Sequence, residues 1–261
     1  MSQPELDSGY VRAELTDHVL RITIDRADKR NSLTRAMYED LTRAVKHGQH
    51  TDDVHVVLID SEGDMFCAGN DISDFAAVDP HSGDAGAAGP ALTFIREFNA
   101  CDKACVVAVQ GQATGIGTTL LLHADLVVAA EDAKFFTAFV DLGLVPEAGS
   151  SLLLPAMIGR QNAARLLLAG DTFNAEEALR MGLVAYCVPR AELAARTQEL
   201  TARLAKKPQG SIQATKRLVR TAIAHDDLEG QIEREAKVFG ERLVSDEVRE
   251  IMANFMSRKK K

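Results

Sequence analysis

The sequence predicts an α/β fold in which helices cover a largely parallel sheet. Three observations predict it: short apolar runs rich in β-branched residues, amphipathic segments of helical period between them, and a glycine-containing turn between residues 104–109 and 126–130. Strand, turn, helix and strand in succession are typical of a crossover unit. We predict an α/β core over residues 1–200 and a helical region over 201–261, with the best boundary signal at 206–210.

The first elements follow from alternation and capping. Residues 10–25 alternate as two strands around an Asp17-His18 turn, which predicts a hairpin. Thr34 is an expected N-cap for an amphipathic helix that Gly48 should end. Residues 54–60 then form a short β-branched run, which predicts a buried strand.

The later elements are mainly helical. Residues 76–91 are rich in Ala, Gly, Asp and Pro and lack a period, so they are either a mobile loop over a site or a disordered insertion. From Glu147 onwards apolar residues recur at helical spacing, with one long stripe over 228–243. Ser245 should cap the last helix.

Composition excludes several classes of function. Thirty Lys and Arg against 38 Asp and Glu give a net charge of −8, which disfavours binding to nucleic acid or to an anionic membrane. No apolar run approaches the ~20 residues that span a bilayer, and residues 1–10 lack the features of a secretory signal. We therefore expect a cytoplasmic protein.

Cysteine and histidine usage predicts neither disulfides nor a metal site. The four cysteines form no C-x-x-C pair, and the seven histidines form no H-E-x-x-H motif or Cys/His cluster. We expect reduced thiols and no metal.

Two small-residue turns are candidates for an oxyanion site. Residues 111–117 (GQATGIG) match neither a dinucleotide fingerprint nor a P-loop, but glycines between strand and helix expose backbone N–H groups that can hold a developing oxyanion. The alternative is a close strand–helix turn without a ligand. Residues 64–71 form a second such turn, leading towards a helix near Asp71, and its Cys67 fits a buried structural thiol better than a nucleophile.

Glu147 is the candidate acid–base group. It follows Pro146 and is expected to open an apolar helix. The helix dipole would lower its pKa and the apolar surroundings would raise it, so the net shift stays open at this stage. The alternative is an acidic residue that only stabilises a helix start.

Together these segments resemble the crotonase superfamily, also called the enoyl-CoA hydratase/isomerase family. The similar stretches are 26–33 (RADKRNSL), 66–71 (FCAGND), 109–125 (VQGQATGIGTTLLLHAD) and 142–146 (LGLVP). Each is weak alone, but their order and spacing match the family over nearly the whole chain.

The resemblance implies a spiral of ββα units with a C-terminal helical trimerisation region, assembled as a homotrimer or a dimer of trimers. It implies an acyl-CoA thioester substrate and no separate cofactor, since coenzyme A is part of the substrate. The backbone N–H groups of Asn70 and Ile116 would form the oxyanion hole. Residues expected near the substrate or its CoA moiety are Lys29, Arg30, Ala68, Asp71, Phe139, Arg258 and Lys259.

The reaction is predicted from what stands at the family's acid–base positions. Thr119 and Phe139 occupy the positions of the two hydratase glutamates, and neither side chain can act as a general acid or base at ordinary pH. Glu147 falls where the peroxisomal-type Δ3,Δ2-enoyl-CoA isomerases, the most similar branch, carry their single glutamate. The prediction is a shift of a 3-enoyl-CoA double bond to the 2-position. Alternatives are a ring-derived acyl-CoA isomerase, an enoyl-CoA hydratase and a non-catalytic acyl-CoA-binding protein.

Overall fold

The computed structural model describes residues 4–73, 89–224 and 228–258. Its strands are β1 Val11–Thr16, β2 Val19–Ile24, β3 Val56–Ser61, β4 Ala104–Val109, β5 Gln112–Thr114, β6 Leu126–Ala130, β7 Lys134–Phe136, β8 Phe173–Asn174 and β9 Tyr186–Val188. Its α-helices are α1 Arg35–His50, α2 Gly89–Ala100, α3 Ile116–Thr119, α4 Ser150–Ile158, α5 Arg160–Leu167, α6 Ala175–Met181, α7 Leu193–Ala205, α8 Gln209–Ala224, α9 Leu228–Leu243 and α10 Asp246–Arg258.

The main sheet confirms the predicted α/β class. Six strands lie in the order β1-β2-β3-β4-β6-β9. The β1–β2 hairpin is antiparallel and every later pairing is parallel. Asp17 and His18 both have positive φ, 48° and 66°, which suits the tight turn of a twisted two-strand hairpin.

A second, three-stranded sheet in the order β5-β7-β8 was not predicted from the sequence. Its strands have only two or three residues. Segments this short cannot show a period, so the sequence carries no signal for them. This small sheet supports the turn that precedes α3.

Helix α1 begins as predicted but ends later. The Thr34 side chain accepts a hydrogen bond from the backbone N–H of Met37, which confirms the N-cap. The prediction that Gly48 ends the helix was wrong. A Cβ at Gly48 would lie 2.9 Å from Leu20 and 3.1 Å from Val57, so glycine here allows α1 to approach the sheet closely.

The C-terminal helices pack onto the same core as the sheet. The predicted apolar stripe is α9, which buries Ile232 and Phe239, and the Ser245 hydroxyl accepts from the backbone N–H of Val248, which confirms the last cap. The predicted boundary at residue 200 falls within α7, and the division into core and helical region stays a prediction.

Most of the predicted loop at 76–91 lies outside the described residues. Its last residues are helical, because α2 begins at Gly89, so the prediction of irregular structure was wrong there. The helix expected near Asp71 falls at the edge of the described range, where residues 72–73 are helical. None of the helices in the described part of the chain has the length and apolar content that a membrane crossing requires.

Candidate active site

Two glycine-containing segments, 66–70 and 112–116, lie side by side; we call them the paired turns. The backbone N–H of Cys67 donates to the carbonyl of Gln112 at 3.1 Å, and the N–H of Thr114 donates back to the carbonyl of Cys67 at 2.9 Å. A Cβ at Gly117 would lie 2.9 Å from both the Cβ and the carbonyl oxygen of Cys67. Backbone bonds and close glycine contacts therefore fix the two turns against each other.

A separate parallel bridge between Asn70 and Leu33 leaves the backbone N–H of Asn70 pointing away from Leu33. Leu33 donates to the carbonyl of Gly69 and accepts from the N–H of Asp71, both at 2.9 Å. In a parallel bridge of this register, the N–H of the residue between the two partners points to the opposite side. The Asn70 amide is thus presented by backbone geometry, whatever its side chain.

The Ile116 amide is presented by the start of α3. Gly115 precedes it with φ 56° and ψ −118°, a conformation that favours glycine. The carbonyl of Gly115 accepts from Thr118 and Thr119, whereas the N–H of Ile116 belongs to the first helical position, which has no intrahelical acceptor. The helix has four residues, so the amide itself, rather than a helix dipole, is the donor.

Glu147 is linked to α3, the helix that follows the second of the paired turns, by a hydrogen bond from Thr119. The Thr119 hydroxyl donates to Glu147 Oε1 at 2.6 Å, and both side chains are buried. Because Thr119 is the last residue of α3 and Ile116 is the first, the carboxylate is hydrogen-bonded to the same four-residue helix that presents one candidate oxyanion donor. The sequence identified Thr119 only as unable to perform acid–base chemistry and missed this contact.

The pKa of Glu147 is raised from 4.5 to about 7, mainly because burial disfavours the carboxylate. The Thr119 hydrogen bond acts to lower it, and the charge of Glu235 acts to raise it. A carboxyl with a pKa near neutrality can both accept and return a proton. The question that the sequence left open is therefore decided by burial.

Cys67 lies near the same carboxylate but is not activated. Burial raises the pKa of its thiol to about 12, and the charge of Glu147 contributes to this rise. The expectation of a buried structural thiol is confirmed.

The expectation that Glu147 opens a helix was wrong. Helix α4 begins three residues later, because Ala148 and Gly149 adopt left-handed backbone conformations with φ 60° and 70°. We call residues 147–151 the Glu147 turn. An alanine at positive φ is strained, so surrounding groups must hold it.

Side chains from two distant elements hold the Glu147 turn. His123 Nε2 donates to the carbonyl of Ala148 at 2.8 Å, and burial lowers the pKa of His123 to about 4, so it is neutral. Glu235 on α9 accepts from the backbone N–H groups of Gly149 at 2.6 Å and Ser151 at 2.9 Å. Sequence separations of 25 and 86 residues gave no signal for these contacts.

A family model described as enoyl-CoA hydratase/isomerase matches residues 14–261. The chain belongs to this family. Relatives named as enoyl-CoA hydratases and as isomerases match it at similar identity, so family membership does not choose between the two reactions.

Three proteins of the family illustrate this range. The 1,2-epoxyphenylacetyl-CoA isomerase of Escherichia coli is 33% identical, with 82% of each chain covered. Enoyl-CoA delta isomerase 2 of Rattus norvegicus is also 33% identical, over 93% of this chain and 62% of the longer relative. The crystal structure of an enoyl-CoA hydratase/isomerase from Pseudoalteromonas atlantica has a TM-score of 0.88 at 35% identity, covering 95% of this chain and 97% of that one.

The residues of this chain that are predicted to contact CoA lie in two regions, the loop around Lys29 and Arg30 and the C-terminal end. Lys29 and Arg30 are exposed, and the carbonyl of Arg30 accepts from the N–H of Ala68 at 3.0 Å, so this loop borders the paired turns. Arg258 is the last residue of α10, and Lys259 lies outside the described residues. Contact of these residues with CoA stays a prediction.

Asp71 is paired with Arg26, and Phe139 packs in the hydrophobic core. Asp71 Oδ2 lies 2.6 Å from Arg26 Nη1. Burial acts to raise the pKa of Asp71, but hydrogen bonds from Arg26 and Ser73 outweigh it and lower the pKa to about 2. Phe139 is buried in the main hydrophobic core. Contact of Asp71 and Phe139 with the substrate stays a prediction.

The described residues contain no cluster of His, Cys, Asp and Glu able to hold a metal ion.

A cavity of about 900 Å³ lies between α8 and α4, and its lining includes His123 but none of Asn70, Ile116 and Glu147. It is therefore not the space between the two amides and the carboxyl group.

Proposed function

We propose that this chain isomerises 3-enoyl-CoA thioesters to 2-enoyl-CoA thioesters, with Glu147 as both base and acid. The observation that carries the proposal is the buried carboxyl group of Glu147, which has a pKa of about 7 and is hydrogen-bonded to the helix that presents the Ile116 amide. An acyl-CoA substrate fits the family.

The proposed steps need one proton and no co-reactant. The Glu147 carboxylate removes a proton from C2, and the electron pair passes into a dienolate whose oxygen accepts hydrogen bonds from the Asn70 and Ile116 amides. The protonated Glu147 then returns the proton at C4, which leaves the double bond between C2 and C3. Two amides aimed at the developing oxygen charge lower the barrier because they are held in place before the reaction begins.

Hydration is the weaker candidate. Hydratases of the family use two glutamates on one water molecule, and here those positions hold Thr119 and Phe139. The Thr119 hydroxyl donates to Glu147, so it orients the one carboxylate rather than supplying a second. A non-catalytic acyl-CoA-binding role leaves the raised pKa of Glu147 without a use.

A ring-derived acyl-CoA thioester is the second candidate substrate. The similarity to 1,2-epoxyphenylacetyl-CoA isomerase favours it, because a single acid–base group also fits isomerisation of such a thioester.

An ultraviolet assay tests the proposal. Purified protein is offered 3-enoyl-CoA, 2-enoyl-CoA and a ring-derived epoxide thioester in separate reactions. We expect conjugated thioester to form from the first and to persist in the second. Loss of conjugation from 2-enoyl-CoA would indicate a hydratase, turnover of the third substrate alone would favour the ring-derived class, and binding without conversion would refute catalysis.

A further inference from the structure

A buried carboxylate on α9 contacts the backbone that follows Glu147. Glu235 Oε2 accepts from the N–H of Gly149 at 2.6 Å, and Oε1 accepts from the N–H of Ser151 at 2.9 Å and from the Ser151 hydroxyl. The Ser151 hydroxyl also accepts from Gln231 Nε2 at 2.6 Å. Both oxygens of Glu235 are thus used within four residues of Glu147.

Helix α9 packs tightly against the same turn. A Cβ at Gly149 would lie 2.6 Å from Leu228 and 3.3 Å from Ile232. Gly149, one of the two residues with left-handed backbone, therefore lies where the side chains of Leu228 and Ile232 leave little room. Contacts from α9 thus add to the backbone bonds of the turn itself, in which the N–H of Ser150 donates to the carbonyl of Glu147 at 3.1 Å.

We propose that Glu235 is a positioning residue for Glu147, holding the backbone of the Glu147 turn and setting the charge that the base experiences. This inference rests on the proposed function, because it gives Glu235 a part in the same proton transfer. Glu235 contacts Gly149 and Ser151 and does not need to touch the substrate.

Among the described residues, Glu235 is the charged group that acts on the pKa of Glu147, after the larger effects of burial and of the Thr119 hydrogen bond. The groups facing the Glu147 turn are Thr119 from α3, Cys67 from the paired turns, His123 from the 3₁₀ helix Leu120–His123, and Glu235 from α9. Cys67 is a neutral thiol because its pKa is about 12, and His123 is neutral because its pKa is about 4. Burial raises the pKa of Glu235 as well, while its hydrogen bonds from Ser151 and Gly149 favour the carboxylate. When Glu235 is ionised, its charge acts to raise the pKa of Glu147.

The decisive variant is Glu235→Gln, compared with Glu233→Gln. Glu233 lies on the same helix, is exposed, and approaches Arg96 only at 3.9 Å, so it provides the same chemical change away from the turn. For Glu235→Gln we expect kcat to fall on the order of 10-fold with a smaller change in KM, because the base is misplaced while the thioester site remains. Removing the neighbouring charge should also move the acid limb of the pH–rate profile to lower pH.

A second variant separates position from charge. Glu235→Asp keeps the charge but is one methylene shorter, so it cannot bond Gly149 and Ser151 together in the present geometry. We expect a lower kcat with the acid limb unmoved. If Glu235→Gln does not fold, this variant decides: an unchanged kcat would overturn the inference.

A direct titration of Glu147 distinguishes failure of the inference from failure of the proposed function. Carbon-13 NMR of the side-chain carboxyl groups, assigned with Glu147→Gln, gives the pKa of Glu147 in Glu235→Gln and in Glu233→Gln without any substrate. Equal values in the two variants would overturn the inference even in an active isomerase. Absence of isomerisation by the native chain would refute the proposed function, and the difference in pKa would still report whether Glu235 acts on Glu147.

Discussion

The paired turns and the Glu147 turn are built in different ways. In the paired turns, backbone hydrogen bonds such as that between Cys67 and Gln112 fix the geometry, and the amides of Asn70 and Ile116 are presented by the main chain. In the Glu147 turn, strained backbone is held by the side chains of His123 and Glu235. Substitutions that keep the backbone should therefore be tolerated in the first region and costly in the second.

The largest effect is expected where the reacting group lies. Glu147→Gln keeps the size of the side chain but removes the base, so kcat should fall by about 10²–10⁴-fold, the range that general acid–base catalysis supplies. Affinity for acyl-CoA, measured by calorimetry, should change little. Turnover within a few-fold of the native chain would remove Glu147 from the mechanism.

The paired turns should fail only when their backbone is displaced. In Gly117→Ala the new Cβ would lie 2.9 Å from the Cβ and the carbonyl of Cys67, which must separate the two turns. We expect kcat to fall by about 10²-fold, as when one oxyanion donor is lost. Steady-state kinetics check this, with circular dichroism to establish that the variant folds; near-native turnover would show that the Ile116 amide is not needed.

Burial of Glu147 should cost stability as the pH rises. Its pKa is about 7 in the folded chain against 4.5 unfolded, so the folded chain binds the proton more tightly and loses stability between those pH values. Relative to Glu147→Gln, the native chain should lose up to about 3 kcal/mol of unfolding free energy over this window. Urea unfolding of both chains at pH 5 and pH 8 measures the difference; parallel pH dependence would contradict the raised pKa.

The smallest effect is expected for Asn70→Ala. The amide at this position is fixed by the pairing of Gly69 and Asp71 with Leu33, so kcat should stay within about 3-fold of the native value, well short of the loss of an oxyanion donor. The lost bond between the Tyr38 hydroxyl and Asn70 Oδ1 should cost stability of about 1 kcal/mol. A large fall in kcat without unfolding would show that the Asn70 side chain itself acts on the substrate.

Local patterns were sufficient for the elements that have a period or a cap. The bounds of β4, β6 and α9 agree with their apolar runs, because strands and helices of this length repeat their burial pattern along the chain. Strands β7 and β8 were missed because two or three residues carry no period. Gly48 was misinterpreted because glycine permits both a helix end and a close helix–sheet contact.

The sequence by itself determined which chemical groups are present. These are two glycine turns able to present backbone amides and one glutamate in an apolar segment, while the two positions of the hydratase glutamates hold no acid. Tertiary structure alone decided their state. The pKa of Glu147 depends on burial, on Thr119 and on Glu235, and the shape of its turn depends on His123 and α9. These contacts join residues far apart in the chain, and desolvation is a property of what surrounds a group, which no local stretch of sequence specifies.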